Sequence, residues 1–430
     1  MQFSAPISVD AYRSKILPLR LRAEVQKDWL RQRLEKVLPE IMKREGLDMW
    51  IVAAREYNED PVIMTLLPAP AMSARRRTIL VFHLREDGTL ERLTLDRYGH
   101  GDFYEAVWNP EEEDQYECLA RVVRERDPQT IGLNISENFA FADGLTHNEY
   151  QNIAAALGEE YASRFKGAER LAVGWLERRI EAELIVYPGM VEIGHALIAE
   201  AFSSRTIQPG ITTTDDVVWW MREKMQSLGL QAWFQPTVDI QAWGEPFTPI
   251  GKKEENRRKV ILPGDLLHCD VGFYYLGLAT DQQQLAYVLR PGESDAPQGL
   301  KAGLAEANRL QEIHLAAMQV GRTGNQVLKA ALETARAEGI QPMIYTHPIG
   351  YHGHAAGPTI GLWDRQEGVP DRGDYELFDD TCYSIELNIK KAVPEWDGQE
   401  VMFALEEEAV LSGNQARWLS GRQTEFYLIG

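Results

Sequence analysis

The stretch LPGDLLHCDVGFYYLGLATDQQQLAYVL, residues 262–289, decides which fold and chemistry to expect of this chain. After the Pro263-Gly264 turn come two apolar, strand-like runs, which are joined by the turn Tyr275-Leu276-Gly277. Asp270 and Asp281 lie in these runs, so a hairpin can bring their carboxylates together. Two close, buried carboxylates repel each other unless one is protonated or a cation lies between them. The pair therefore predicts metal ligands or, alternatively, a turn residue and a cap.

A second segment, YTHPIGYHGHAAGPTIGLWD at residues 345–364, is rich in histidine and glycine. It holds three of the nine histidines, namely His347, His352 and His354. Glycine permits close backbone approach, and imidazole binds metals or moves protons. The segment therefore indicates a site loop, with an exposed loop of no chemical role as the alternative.

Two further segments supply glutamates within strand-like runs. Glu386 lies in TCYSIELNIK, residues 381–390, and three consecutive glutamates lie in EVMFALEEEAVLSG, residues 400–413. Side chains alternate along a strand, so Glu406 and Glu408 are expected on one face and Glu407 on the other. One of these faces is expected to be wet and the other to hold a ligand. An edge strand with one solvated face is the alternative.

Together these segments offer four carboxylates and one imidazole, in the chain order Asp, Asp, His, Glu, Glu. An oxygen-rich set with one imidazole suits Mn²⁺, Fe²⁺, Co²⁺ or Zn²⁺. Bridging carboxylates can hold two divalent ions about 3.5–4 Å apart, with an acidic water between them. The hypothesis is therefore a dinuclear site.

Composition narrows the class of protein. The 430 residues include 65 acidic and 45 basic ones, a formal charge of −20, whereas nucleic-acid and anionic-membrane binders usually carry the opposite sign. The three cysteines, Cys118, Cys269 and Cys382, form no C-x-x-C pair and predict a reducing compartment, the cytoplasm. The N-terminal residues do not resemble a signal peptide, and the sequence has no run of eighteen apolar residues that would predict a membrane span.

The order of helical and strand-like segments predicts a mixed α/β (α+β) fold. Helical spacing covers residues 20–45 and ends at Gly46, followed by the strand LDMWIVAA and a strand pair around Asp87-Gly88. Pro188-Gly189 is expected to interrupt a helical stretch that starts near Glu169. Thr213 or Thr214 is expected to cap a helix that begins at Asp215. The tryptophans are expected in the core, with a pocket wall as the alternative: Trp219, Trp220, Trp233 and Trp243.

The ordered motifs resemble those of the pita-bread-fold metallopeptidases, the family of methionine aminopeptidase, Xaa-Pro aminopeptidase and prolidase, with the metal-free relative creatinase. The resemblance covers residues 185–430, and the preceding 180 residues resemble the N-terminal domain of the aminopeptidase P, prolidase and creatinase branch. It implies a creatinase-like domain over 1–180 and a pita-bread domain over 181–430. The matching positions are Asp270, Gly272, Gly277, Thr280 and Asp281; His347, Ile349, Gly350 and His354; Ser384, Ile385 and Glu386; and Glu406, Val410 and Ser412.

The resemblance also implies roles for these residues. Asp270 would bind one metal ion and His347 the other, with Glu386 beside His347, while Asp281 and Glu406 would bridge both ions. Glu386 would also accept a proton from the attacking water, and His354 would stabilise the oxyanion.

The expected enzyme is an Xaa-Pro aminopeptidase or dipeptidase that cleaves the amide bond before proline in short peptides. Its water would be activated between two divalent ions, with Mn²⁺ expected and Co²⁺, Zn²⁺ or Fe²⁺ as alternatives. The partner is a short peptide, neither nucleic acid nor membrane is expected, and the resemblance implies a homodimer.

Several positions depart from the family pattern. The histidine that relatives carry near FQPTVDIQAWGEPF is missing, and Gln241 or Trp243 occupies that neighbourhood. Gln282-Gln283-Gln284 replaces the polar run after the second Asp, Ala404 replaces an arginine, and Met343 replaces a histidine. These changes leave the metal ligands intact and alter the substrate side. Two alternatives therefore stay open: a metal-free, creatinase-like C–N hydrolase, and a non-catalytic binding protein that retains the fold.

Overall fold

A computed structural model of the chain describes residues 8–245 and 259–430. The chain forms two compact units, one comprising residues 18–180 and the other residues 1–17 with 181–430. Residues 1–7, at the start that we expect not to be a signal peptide, lie outside the described residues. So do Pro246 and Phe247, which end the segment where relatives carry an additional histidine.

The unit of residues 18–180 is built on one six-stranded sheet in the order β4-β3-β2-β1-β5-β6. Its helices are α1 (Leu19–Gln32), α2 (Leu38–Glu45), α3 (Ile63–Leu66), α4 (Gln115–Arg126), α5 (His147–Ala162) and α6 (Glu169–Glu177). A π-helical turn, Arg33–Val37, joins the first two helices, and 3₁₀ turns lie at Gly101–Phe103 and Ala140–Ala142. The strands are β1 (Met49–Arg55), β2 (Arg77–Leu84), β3 (Leu90–Thr94), β4 (Glu105–Ala106), β5 (Ile131–Leu133) and β6 (Phe165–Gly167).

The helix and the strand pair predicted for this unit are confirmed. Helical structure runs from residue 19 to residue 45 and ends at Gly46, whose φ of 64° is the left-handed conformation that glycine adopts readily. Strands β2 and β3 pair antiparallel around Asp87-Gly88, as expected. Helices α4 and α5 contribute Leu119, Val123 and Ile153 to a core that covers the apolar face of the sheet.

The described residues of the larger unit form four helices, α7 (Glu181–Ala201), α8 (Thr214–Ser227), α9 (Gln298–Ala317) and α10 (Gly324–Ala337), and 3₁₀ turns at Val9–Lys15, Arg372–Asp374 and Pro394–Trp396. Its first strands are β7 (Gln231–Ala232), β8 (Thr237–Gln241), β9 (Leu266–Val271), β10 (Phe273–Tyr275), β11 (Leu278–Ala279) and β12 (Gln282–Val288). The later strands are β13 (Pro342–Ile344), β14 (His347–Ile349), β15 (Thr381–Ser384), β16 (Leu387–Val393), β17 (Gln399–Leu405), β18 (Glu408–Ser412), β19 (Gln415–Trp418) and β20 (Tyr427–Ile429).

These strands form four small sheets, in the orders β11-β10-β7, β20-β12-β9-β8, β13-β16-β17 and β14-β15-β18-β19. Two extended stretches change from one sheet to another. β15 continues into β16 across residues 385–386, and β17 continues into β18 across residues 406–407. A bridge between Gln283 and Glu406 links the sheet of β12 to this changeover. Three sheets therefore meet where the candidate ligands lie.

The predicted helix interruption at Pro188-Gly189 is wrong. Helix α7 runs through Pro188, and the break falls earlier, at residues 178–180. The buried guanidinium of Arg33 donates to the carbonyls of Trp175 and Arg178, so the end of α6 is satisfied without further helical bonds. Proline removes one hydrogen bond from α7, and the buried residues around it retain the helix.

Helix α7 is long and apolar enough to cross a membrane by length and composition alone. In the structure it packs inside the larger unit instead. Tyr187 donates its hydroxyl to the Ala279 carbonyl at 2.6 Å, and His195 lies 2.6 Å from Glu407. These contacts identify α7 as a core helix of the unit.

Helix α8 begins at Thr214, and Thr213 caps it by accepting from the backbone N–H of Asp216, as expected. The expectation of core tryptophans is wrong for Trp219 and Trp243, which are 58% and 49% exposed. Cys118, Cys269 and Cys382 are all buried free thiols.

The close approach of α9 to β17 yields a stability prediction. A Cβ at Gly303 would lie 2.1 Å from the buried ring of Phe403. We expect Gly303→Ala to cost about 1–3 kcal/mol through overpacking, which exceeds the gain in helix propensity of about 1 kcal/mol. Thermal or urea unfolding measures this change.

Gly189→Ala in α7 is the matched control, because no heavy atom lies within 4 Å of the added Cβ. This variant should be as stable as the parent or slightly more so. A Gly303→Ala protein that unfolds at the parent's temperature would contradict the packing argument.

Candidate metal centre

The first two candidate ligands come from one hairpin. Asp270 lies on β9, and Asp281 immediately precedes β12, which pairs antiparallel with β9. Between them β10 and β11 turn at Leu276 and Gly277, whose φ angles are 54° and 81°. Positive φ at both central residues is typical of a tight hairpin turn, so the predicted hairpin is confirmed.

The other three candidate ligands lie where strands change sheets. His347 begins β14, and a short link separates it from Ile344 at the end of β13. Glu386 lies between β15 and β16, and Glu406 between β17 and β18. Departure from regular strand geometry at these junctions lets three side chains turn toward one point.

The structure brings all the predicted site residues together. His347 Nε2 lies 3.3 Å from Glu406 Oε1, 3.7 Å from Asp281 Oδ2 and 4.0 Å from Glu386 Oε2. Asp270 joins Asp281 and Glu406 in a second set whose ligand atoms lie within 4.8 Å of one another. His354 forms a third such set with Asp281 and His347.

The residues present fit a bound cation. Oδ1 of Asp270, Oδ1 of Asp281 and Nε2 of His347 are buried and make no hydrogen bond to any described residue. Such atoms cost free energy unless a ligand satisfies them. Carboxylate oxygens with one imidazole nitrogen are a donor set that divalent transition-metal ions accept.

The electrostatics agree with this donor set. Burial, followed by the charge of Glu406, raises the pKa values of Asp270, Asp281 and Glu386 well above their ordinary range. Without a cation these carboxyls therefore tend to hold protons, because several negative charges cannot share a space of low dielectric. A divalent ion would reverse that preference.

Glu406 is the exception among the four carboxyls. Burial opposes its charged form, but its pKa is lowered because His347, the Ser384 hydroxyl and the Gln283 amide surround it. Ser384 donates to Oε1 at 2.6 Å, and Gln283 donates to Oε2 at 2.7 Å. Glu406 is therefore the anion around which the site is organised.

The three consecutive glutamates alternate as expected, but the expectation of a wet face is wrong. Glu406, Glu407 and Glu408 are all buried. Glu408 accepts from the backbone N–H of Asp281 at 2.9 Å, on the side of the candidate ligands. Glu407 turns the other way, toward His195 and the Gln284 amide. Polar partners on both sides offset the desolvation cost of burying these glutamates.

An aromatic cluster borders the candidate ligands. The ring centroids of Trp233 and Tyr345 lie 5.2 and 6.1 Å from that of His354, and that of His347 lies 4.7 Å away. A Cβ at Gly353 would lie 2.2 Å from the Trp233 ring, so glycine there admits the indole. Partial burial, followed by His347, lowers the pKa of His354 to about 4, which leaves a neutral imidazole at neutral pH.

The segment in which relatives carry another histidine contributes differently. The Gln241 amide pairs with the backbone of Met402, at 2.8 and 3.0 Å, and Trp243 donates to Asp397. The polar side-chain atoms of both residues are therefore engaged with residues other than the candidate ligands. His268 faces the same side as Asp270 and lies 3.0 Å from Gln283.

The sequence did not predict the contacts of three neighbours of the ligands: Ser384, a motif position without an assigned role, Gln283, which was expected on the substrate side, and Tyr345. One of them carried a usable signal. Gln283 stands two residues after Asp281 along an extended run, so the two side chains share a face.

Comparison with known proteins adds the family. No curated protein sequence matches this chain. Among solved structures it is similar to an X-Pro aminopeptidase from Thermotoga maritima, with 18% identity, a TM-score of 0.65, and coverage of 90% of this chain and 99% of that one. It is also similar to an Xaa-Pro dipeptidase from Bacillus anthracis, with 16% identity, a TM-score of 0.59, and coverage of 95% and 100%.

A prolidase from Pyrococcus horikoshii is similar at 15% identity and a TM-score of 0.56, over 90% of this chain and 98% of that one. These likenesses confirm the predicted mixed α/β, pita-bread architecture. The model of metallopeptidase family M24 matches residues 190–412, more than half of the sequence, and the chain belongs to that family.

Proposed function

We propose that this chain is a metal-dependent peptidase that hydrolyses an amide bond in short peptides, with Xaa-Pro peptides as its substrates. One observation carries the proposal: Asp270, Asp281, His347, Glu386 and Glu406 converge. Within this set one atom each of Asp270, Asp281 and His347 is buried without a hydrogen bond to any described residue. Family membership supports peptide hydrolysis in general.

The proposed roles of the ligands are those that the family resemblance implies. Asp281 and Glu406 would bridge two ions, Asp270 would complete one of them, and His347 with Glu386 the other. When bound, such ions acidify a water molecule and polarise the scissile carbonyl. Mn²⁺ is the ion that we propose, with Co²⁺, Zn²⁺ and Fe²⁺ as alternatives.

Two side chains would act on the substrate and the water. The Glu386 side chain is 21% exposed, whereas those of Asp281 and Glu406 are 4% and 1% exposed. Glu386 is therefore the carboxylate among these three best reached by water, and it would accept the proton. His354 would donate to the oxyanion, since its ring lies next to His347 and is exposed to solvent.

The Xaa-Pro preference rests on the aromatic cluster and on the named activities of the similar structures. Trp233 and Tyr345 flank His354 and offer flat apolar surfaces against which a pyrrolidine ring can pack. The similar structures from Thermotoga maritima and Bacillus anthracis are named as X-Pro aminopeptidase and Xaa-Pro dipeptidase.

Three further expectations belong to this proposal. A homodimer stays a prediction. A cytoplasmic location is supported by three buried free thiols. The metal-free C–N hydrolase and the non-catalytic binding protein would both fail to show metal-dependent release of an N-terminal residue or of proline.

Isosteric removal of ligand charge tests the assignment. We expect Asp281→Asn and Glu406→Gln each to abolish hydrolysis of Xaa-Pro dipeptides and tripeptides, because each removes a bridging anion. Assays with Mn²⁺, Co²⁺ and Zn²⁺ measure the loss.

Glu407→Gln is the matched control, because it changes an equally buried neighbour that bonds His195 and Gln284. It should lower the unfolding temperature and retain turnover. Near-normal kcat in either ligand variant would refute the bridging roles, and a parent inactive with every metal and peptide would refute the peptidase assignment.

Metal binding should also stabilise the folded chain. Because a cation relieves repulsion among buried carboxylates, saturating Mn²⁺ should raise the melting temperature of chelator-treated protein. At a concentration of about 100 times the dissociation constant, the gain is about 2.7 kcal/mol. Differential scanning calorimetry measures the shift, and Asp281→Asn should lose most of it. An unchanged melting temperature in the parent would contradict a cation site.

A further inference from the structure

Gln283 lies between two of the candidate ligands. Its Nε2 donates to Glu386 Oε1 at 2.8 Å and to Glu406 Oε2 at 2.7 Å. The amide of Gln283 therefore donates both of its N–H groups to carboxylates that are 103 and 123 residues away in sequence. Such charge-assisted bonds are stronger than neutral ones.

The amide leaves the opposite oxygens of both carboxylates facing His347. Glu406 Oε1 and Glu386 Oε2 lie 3.3 and 4.0 Å from His347 Nε2. Each glutamate thus has one oxygen bonded to Gln283 and the other on the side of His347, where a cation would lie. Glu406 Oε1 also accepts from the Ser384 hydroxyl at 2.6 Å, so Gln283 orients Glu386 and shares the orientation of Glu406 with Ser384.

His268 fixes the amide in turn. Ionised carboxylates, the form that binds a cation, can only accept hydrogen bonds, so the nitrogen of Gln283 must face them and its oxygen must face away. That oxygen lies 3.0 Å from Nε2 of the buried His268 ring, which donates to it. His268 stands two residues before Asp270 on β9, on the same face of the strand.

The neighbouring glutamines have other partners. Gln284 faces the opposite side, where its Nε2 donates to Glu407 at 2.7 Å and its Oε1 accepts from Tyr427 at 2.8 Å. Gln284 is buried like Gln283 and also bonds a buried glutamate, but that glutamate is not among the candidate ligands. The chain therefore supplies its own control for the loss of a buried amide.

We propose that Gln283 is a positioning residue for the metal centre and that His268 sets the orientation of its amide. This inference rests on the proposed function, because it concerns how Glu386 and Glu406 are held for a cation. Outer partners of metal ligands typically change metal affinity by about 10–100-fold when they are removed. Gln283 contacts two ligands at once, so its loss should loosen both, and Glu386 more than Glu406, whose Oε1 still accepts from Ser384.

The test is Mn²⁺ affinity, measured by calorimetric titration of metal-stripped full-length protein. We expect Gln283→Leu to weaken Mn²⁺ binding by about 10–100-fold, and His268→Phe to weaken it less, because the amide remains but can rotate. Gln284→Leu should bind Mn²⁺ like the parent while losing thermal stability. Turnover of Gln283→Leu should recover as Mn²⁺ is raised, which a merely destabilised protein would not show.

The outcomes distinguish the positioning role of Gln283 from the proposed peptidase function. If the parent binds Mn²⁺ and Gln283→Leu binds it equally well, the positioning role is wrong and the proposed function stands. If Gln284→Leu weakens binding as much as Gln283→Leu, the effect is general destabilisation and the positioning role is again wrong. If the parent binds no divalent ion, both proposals fail.

Discussion

Repulsion among buried carboxylates is the constraint on which the centre of this molecule depends. Asp270, Asp281, Glu386 and Glu406 converge with His347; Asp281, Glu406 and His347 are buried, and Asp270 and Glu386 are half-buried. Separate negative charges in such surroundings are unstable unless protons or cations balance them. The raised pKa values of Asp270, Asp281 and Glu386 reflect this repulsion. Glu406 instead has a lowered pKa, because both of its oxygens accept hydrogen bonds.

The sheet changeovers explain how distant residues meet that demand. A continuous strand would send neighbouring side chains to opposite faces, and a single sheet would spread the ligands along its surface. Here Glu386 and Glu406 lie where extended chain leaves one sheet for another, and Gln283 bridges to Glu406 from a third. Glu407 secures the reverse side of the changeover through His195 and Gln284. The change of strands from one sheet to another therefore determines where the ligands lie.

Local signals predicted much of this arrangement, and long-range pairing accounts for what they missed. The hairpin of Asp270 and Asp281 and the alternation of Glu406 to Glu408 follow from turn chemistry and strand period. The predicted wet face failed because the partners of Glu407 and Glu408 come from distant elements, α7 and β12 among them. The break assigned to Pro188 failed for a similar reason, because burial retains a helix that proline alone would weaken. The sequence assigned Gln283 to the substrate side and did not predict its bonds to two candidate ligands, because both acceptors lie more than a hundred residues away.

The chemistry of an amide explains why glutamine suits this position. A lysine or arginine between Glu386 and Glu406 would form an ion pair, supply the missing positive charge, and so compete with a metal ion. An aliphatic side chain would remove the hydrogen bond that orients Glu386 and leave Glu406 held by Ser384 at Oε1 alone. The neutral Gln283 amide orders the two anions through hydrogen bonds and adds no charge. The demand for a cation therefore persists after the ligands have been positioned, which is the condition that a metal centre built from buried carboxylates requires.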